Sequence, residues 1–291
     1  MGSINLKYSS MGLGLRVGIV AYERDYVKLA HYCHRIGVSE VCLASSSIEG
    51  YNEKGYVDLD PLKAYKSGLE GFGINLGAIV ITRGLSHDAI LGEAGSERER
   101  EKLLLTLENI GKTGIGVAVV YPLVERPISK LRREECWRKI IKFYDFLVDS
   151  AERFKVKLAN HAFYHPWSMI RNMKTLYRLI SEAPSPYNGV TYCPGLYQMG
   201  DDPYEAIIIF KEKIFFAHAR NLRKIWPHPR FEEVPLDRGD IDMARVLGLL
   251  KIVGYNGVIC PEHLGESGGE RDLQAEAVEY LKSLLAKIDE I

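Results

Sequence analysis

The chain has 291 residues, 46% of them hydrophobic, and its 38 basic residues are balanced by 38 acidic ones. That is enough apolar sequence for a substantial core, and the balanced charge, with no basic stripe interleaved with aromatics, lacks the electrostatic footprint of a nucleic-acid binder. No basic region leads into a continuous apolar segment at the N-terminus and no run approaches ~18 apolar residues, so a cytoplasmic protein that neither enters nor crosses a membrane is expected.

Five cysteines, Cys33, Cys42, Cys136, Cys193 and Cys260, are widely spaced without a CxxC pair. They read as reduced thiols rather than a structural zinc site or a redox motif. The expected partners are a small molecule, a sugar or sugar acid, and copies of the same chain.

In chain order, residues 1–13 read as a leader, disordered or added for expression, ahead of one domain that fills the rest of residues 1–291. Short β-rich runs follow at "LRVGIVAY" (15–22), "SEVCLASS" (39–46), "NLGAIVIT" (75–82) and "IGVAVVYP" (115–122). Four more lie at "VKLANHAF" (156–163), "GVTYCPG" (189–195), "IFFAHAR" (214–220) and "GVICPEH" (257–263). Between them stand amphipathic stretches with apolar residues at helical spacing, among them "REREKLLLTLENIGKTG", "WRKIIKFYDFLVDSAERF", "PYEAIIIFKEK" and "MARVLGLLKIVGY", and residues 269–291 supply a closing helix. Eight strand–helix units predict an α/β fold, a single (β/α)8 TIM barrel. A doubly wound open sheet is the runner-up, but it calls for a Gly-rich phosphate loop after the first strand, and "GIVAYERDY" is not one.

A barrel places its chemistry at the C-terminal ends of its strands. Strand five ends on His161 and His165, strand six on Cys193, strand seven on His218 and Arg220, and strand eight on Glu262 and His263. Imidazole, thiolate and carboxylate from four consecutive strands form a ligand set for a divalent transition metal, and its softness favours manganese, iron, cobalt or zinc over magnesium or calcium. His161, Cys193, His218 and Glu262 are the predicted ligands. His165 sits in "YHPW", which reads as a turn. Arg220, directly past a ligand, would either clamp a substrate carboxylate or form an ion pair at the rim. The charge runs "SEREREK" (96–102) and "KLRREECWRK" (130–139) read as solvated helix faces. Trp167, Tyr197 and Trp226 fall in loops where they would either wall a sugar-like ligand or simply pack.

The stretches "VKLANH", "NGVTYCPGL", "KIFFAHARN", "RGDIDM" and "CPEH" resemble, in order and spacing over residues 156–263, the mannonate dehydratases of the xylose isomerase-like barrel group. "LRVG" and the helix after it resemble the family's first unit more faintly. The resemblance implies that His161, Cys193 and His218 bind metal, manganese or iron first and cobalt or zinc next. It places Glu262 where the family has an aspartate ligand, and His263 at the catalytic histidine. It also implies a hydro-lyase that removes water from D-mannonate or a related aldonic acid to give a 2-keto-3-deoxy acid, with His263 and Glu262 at the chemistry.

Three departures stand out: Cys260 replaces the motif's arginine, Glu262 is one methylene longer than aspartate, and the chain is shorter than typical members. The segment after strand two, "LASSSIEGYNEKG", lacks the family's histidines, and the loop after strand four reads "YPLVERPIS". Glu262 keeps open a metal-dependent sugar isomerase or epimerase, and Cys260 a non-catalytic metal-binding barrel. For Glu262 and His263 to serve one site, the strand's alternation must break, and Pro261 is the expected place.

Overall fold

The computed structural model describes residues 14–82, 85, 87–122, 132–165, 168–225, 227, 230–265 and 272–290. Trp167, Trp226, the proposed leader and most of "YPLVERPIS" lie outside these residues.

Among the described residues eight parallel staves form the sheet, and each of the eight predicted β-rich runs overlaps one. The first consists of β1 (Arg16–Val17) and β2 (Ile19–Ala21), followed by β3 (Glu40–Ala44), β4 (Asn75–Val80) and β5 (Val117–Val120). The remaining four are β6 (Lys157–Asn160), β7 (Asn188–Tyr192), β8 (Ile214–Ala219) and β11 (Val258–Pro261), while β9 (Asn221–Ile225) and β10 (Arg230–Val234) pair antiparallel as a separate ribbon. Closure occurs at the first stave. β1 pairs with β11 and β2 with β3, so the two halves bond to opposite sides of the ring. Gly18 makes this switch possible, because a Cβ there would stand 2.6 Å from both the Glu40 carbonyl oxygen and Val258 Cγ1.

Helices cover the outside: α1 (Tyr26–Ile36), α2 (Tyr51–Lys54), α3 (Leu59–Gly71), α4 (His87–Leu91), α5 (Ser96–Lys112) and α6 (Arg133–Phe154), then α7 (Met173–Glu182), α8 (Pro194–Gln198), α9 (Pro203–Phe210), α10 (Met243–Ile252) and α11 (Leu273–Asp289). Each follows from its apolar face and its punctuation. Asp25, Asp58, Asp202, Asp242 and Asp272 accept first-turn N–H groups, and Asn172 forms a reciprocal capping box with Thr175; such caps contribute about 1 kcal/mol each. The run "SEREREK" opens α5 and leaves Glu97, Arg98 and Glu101 in solvent, as a solvated face requires. No helix among the described residues is long and apolar enough to cross a membrane.

Two cores result. Outward-facing strand residues such as Leu43, Ile79, Leu158 and Ile259 pack beneath the helices. Inside the ring, Cys42, Ala78, Val80, Val119, Ala159, Phe216 and Cys260 fill the barrel. All five cysteines are free thiols. Cys260, at the position where the resemblance places an arginine, therefore carries no charge to the mouth; burial pushes its thiol well above the ordinary range.

Candidate metal centre

Strand parity builds the site. Side chains alternate along a strand, so the residue two past an inward-facing Ala159 is His161, two past Thr191 is Cys193, two past Phe216 is His218 and two past Cys260 is Glu262. The four emerge together above the inner core. His161 Nε or Nδ, Cys193 Sγ, a His218 ring nitrogen and a Glu262 oxygen all lie within 4.8 Å of one another. Only Glu262 has more than slight exposure, with 20% of its side chain accessible.

Each donor is held from behind. Asn160, just before His161, accepts from Tyr144 Oη at 2.6 Å and donates to Asn188 Oδ1 at 2.7 Å and to the Gly189 carbonyl at 2.6 Å, locking β6 to β7 and to α6. The His161 backbone N–H continues the ladder to Val120. Its ring Nδ1 donates to the Ala162 carbonyl at 2.5 Å, which leaves the Nε2 lone pair buried and without a hydrogen-bond partner. That is the tautomer a metal-binding imidazole needs. His218 Nδ1 lies 3.1 Å from Glu262 Oε2 yet makes no aligned hydrogen bond and, like His161 Nε2, is a buried nitrogen left unsatisfied among the described residues. Cys193 caps the start of α8 and lies 3.7 Å from Glu262 Oε2.

The electrostatics suit a cation. Burial pushes His161 down to about 4, with His218 and Arg220 adding to that effect and Glu262 opposing it. Burial and the Glu262 charge push the Cys193 thiol up to about 12. Burial would raise Glu262, but the imidazoles of His218, His161 and His263 outweigh it and hold the carboxyl well below its usual range. A neutral imidazole with a free lone pair, a thiol raised by burial and a neighbouring carboxylate, and an ionised carboxylate converge on one point. These residues fit a divalent ion.

Around this row the structure sorts the remaining candidates. Arg220 uses its Nε, 3.1 Å from both oxygens of Glu233, and its Nη2 to grip that carboxylate, so of its two readings the rim ion pair is the one its side chain makes. His263 stands over the mouth with 53% of its side chain exposed, Nε2 3.9 Å from Glu262 Oε1 and Nδ1 4.0 Å from Glu233 Oε1. The alternation breaks here and not at Pro261. Pro261 keeps its register opposite Ala219, whose carbonyl accepts the Glu262 N–H at 2.9 Å, and His263 then turns into the left-handed region at φ 50°. His165 stacks on Phe163 away from the row. Tyr197 is no wall over a ligand: it is fully buried in α8 against Tyr192 and Phe210.

The row opens into a cavity of about 640 Å³ bounded by the ends of β2, β5 and β11 and by α1, with Tyr22, Tyr121, His218, Glu262 and His263 on its walls. Sequence reasoning passed over Tyr22 and Tyr121. The signal was the same parity, since Tyr22 is two past Val20 and Tyr121 two past Val119. Glu233 was also missed, because nothing in its own strand marks it as the partner of Arg220.

A family model described as xylose isomerase-like TIM barrel matches residues 32–284. The mannonate dehydratase of Enterococcus faecalis is 34% identical over 133 residues, 42% of this chain and 36% of that protein. Mannonate dehydratase 2 of Halalkalibacterium halodurans is 29% identical over 154 residues, 49% of this chain and 45% of that protein. These alignments thus span less than half the length of the curated relatives. Among solved structures, the mannonate dehydratase of Streptococcus suis serotype 2 has a TM-score of 0.80 at 20% identity over 96% of this chain and 95% of that one. The IolI protein, solved with a bound zinc atom, has a TM-score of 0.69 at 19% identity over 93% and 98%. At such identities the structural likeness establishes the fold.

Proposed function

The chain belongs to the xylose isomerase-like TIM barrel family, and we propose that within it the protein is a metal-dependent sugar-acid dehydratase, converting D-mannonate or a related aldonic acid to a 2-keto-3-deoxy acid and water. The observation that carries this reading is the row His161, Cys193, His218 and Glu262, two imidazoles, a thiol and a carboxylate from four successive strands. Sequence likeness to curated mannonate dehydratases supports it.

Those four residues would hold manganese or iron, with cobalt or zinc as substitutes. A divalent ion there supplies Lewis-acid stabilisation for the negative charge that develops when an α-hydroxy acid loses its C2 proton. The rest is the work of the chain. Ala162 fixes the tautomer of His161, and Glu233 anchors Arg220 beside Cys193, where the guanidinium favours the thiolate. His263, exposed at the mouth and adjoining Glu262, moves the proton: the C2–H electrons become the C2=C3 bond, the C3–O bond breaks, and the departing hydroxyl leaves as water once protonated. The enol then tautomerises to the 2-keto acid. General acid–base help of this kind typically contributes about 10²–10⁴-fold.

A second reading, an isomerase or epimerase that shuttles a proton between adjacent carbons of a ketose, draws on Glu262 in place of aspartate. One experiment separates the two. Protein loaded with Mn²⁺ is incubated with a panel of aldonic acids and ketoses, and keto-deoxy acids and epimers are assayed separately. Keto-deoxy acid from D-mannonate is the expected product; epimerised sugars alone would replace the dehydratase with the second reading.

A further inference from the structure

Tyr121 is outside the ligand row but in the same ring of side chains. The β5–β6 register sets Val119 opposite Ala159 and Val120 opposite Asn160. One step further, Tyr121 meets His161, with ring centroids 4.9 Å apart. Its carbonyl accepts the Leu85 N–H at 2.9 Å, which holds the backbone in place. Buried tyrosines elsewhere find internal acceptors: Tyr65 donates to the Glu23 carbonyl, Tyr144 to Asn160, Tyr192 to the Pro203 carbonyl and Tyr255 to the Val258 carbonyl. Tyr197 lacks one but is enclosed in the core. The Tyr121 hydroxyl has no hydrogen-bond partner among the described residues, and its side chain forms part of the cavity wall with Glu262 and His218. Tyr121 is only partly buried and its hydroxyl, unlike that of Tyr197, is not enclosed in the core, so it is open to the cavity. A group bound in the cavity can therefore accept a hydrogen bond from it.

We infer that Tyr121 is a substrate-binding residue whose hydroxyl donates a hydrogen bond to a hydroxyl of an open-chain polyhydroxy acid, on the carbons beyond its carboxylate and 2-hydroxyl. This rests on the sugar-acid reading above. The geometry sets the direction: His263 and Glu262 border one end of the row and Tyr121 borders the other, at His161. An acid lying across the row has its reacting carbons under His263 and its remaining hydroxyls toward Tyr121. The apolar wall of Ile19 and Val80 would receive the C–H faces of the same chain.

The alternative, that Tyr121 only packs against His161, predicts different behaviour for Tyr121→Phe, which keeps the ring and removes the hydroxyl. The test uses the Mn²⁺-loaded His263→Asn protein, in which turnover is suppressed, with and without Tyr121→Phe, with metal content by elemental analysis and affinities for D-mannonate and glycolate by calorimetry. Glycolate carries the carboxylate and 2-hydroxyl alone. The expected result on adding Tyr121→Phe is unchanged metal content, a glycolate Kd within about twofold of the His263→Asn parent and a D-mannonate Kd raised about tenfold, the loss of one good hydrogen bond. Loss of metal, an equal change for both ligands, or no change for either overturns the inference. A wild-type protein that binds D-mannonate without dehydrating it removes the dehydratase reading alone, since the ratio of the two affinities still judges Tyr121. A wild-type protein that binds no D-mannonate overturns both.

Discussion

His218 Nδ1 and Glu262 Oε2 meet at 3.1 Å from neighbouring parallel strands whose register sets Cys260 opposite His218. The carboxylate reaches one step past its own strand to arrive beside the imidazole, and Cys193 Sγ approaches the same oxygen to 3.7 Å. His218 Nδ1 and Cys193 Sγ thus crowd one oxygen while His161 Nε2 stays unpartnered. A metal ion would relieve this crowding. Protein purified without chelator is expected to carry close to one transition-metal ion per chain by elemental analysis, and His218→Ala or Cys193→Ala is expected to lose most of it, since each removes an inner donor. Full occupancy in both variants would sink the site.

The metal-free protein should be sensitive to acid. In the unfolded chain His161 takes a proton below about 6.5, whereas in the fold burial holds its pKa down to about 4. Between those values the unfolded state binds more protons, so stability falls as pH drops through that window. Glu262 acts in the same direction: its lowered pKa contributes stability that is present above the usual carboxylate range and lost as pH falls below it. For His161 alone the loss from pH 7 to pH 4.5 is on the order of 2–3 kcal/mol. Urea unfolding of EDTA-treated protein at the two pH values measures it, and His161→Gln should flatten the acid limb. Equal slopes in both proteins would contradict the burial argument.

The barrel and the clustering of His161, Cys193, His218 and Glu262 were legible in the sequence because both rest on local period. Alternation along "KLANH", "TYC", "FFAH" and "CPE" sends the four donors inward whatever the rest of the chain does. The β9–β10 ribbon was not legible: "RFEEV" alternates without an apolar face, and its pairing with "NLRKI" is decided by contacts that no local pattern records. The break at His263 was misplaced to Pro261 for a similar reason. Successive backbone groups face opposite neighbours, so the N–H that bonds Ala219 belongs to Glu262, and proline's missing hydrogen costs that ladder nothing.

The same ribbon explains part of the "ARN" and "RGDID" sequence in structural terms. Buried Asn221 donates to the carbonyls of Leu236 and Ile241 at 2.8 and 2.9 Å and accepts the Ile241 N–H at 3.0 Å. A Cβ on Gly239 would stand 2.0 Å from Asn221 Oδ1. Gly239→Ala is therefore expected to expel the amide and strand three buried backbone partners, destabilising the fold by about 2–4 kcal/mol in chemical denaturation. A variant as stable as wild type would show that the loop yields without disturbing Asn221.

Glu262 and His263 are adjacent in sequence, and their variants should nonetheless behave differently. Glu262 is the inward residue, mostly enclosed and packed among His218, Cys193 and His161, whereas His263 has turned into the left-handed region and stands half in solvent above the cavity. Glu262→Gln removes the anionic donor and leaves an amide in its place, so metal affinity should fall along with any turnover. His263→Asn leaves all four donors in place and keeps a residue type that tolerates a positive φ. It should retain metal at the wild-type level and lose turnover of D-mannonate by at least about a hundredfold, the low end of a general acid–base contribution. The pair of measurements, metal content and keto-acid production on the same two variants, assigns the roles. A His263→Asn protein with wild-type turnover would return His263 to a surface histidine at the barrel rim, and one that lost its metal would move His263 from proton transfer to support of the ligand row.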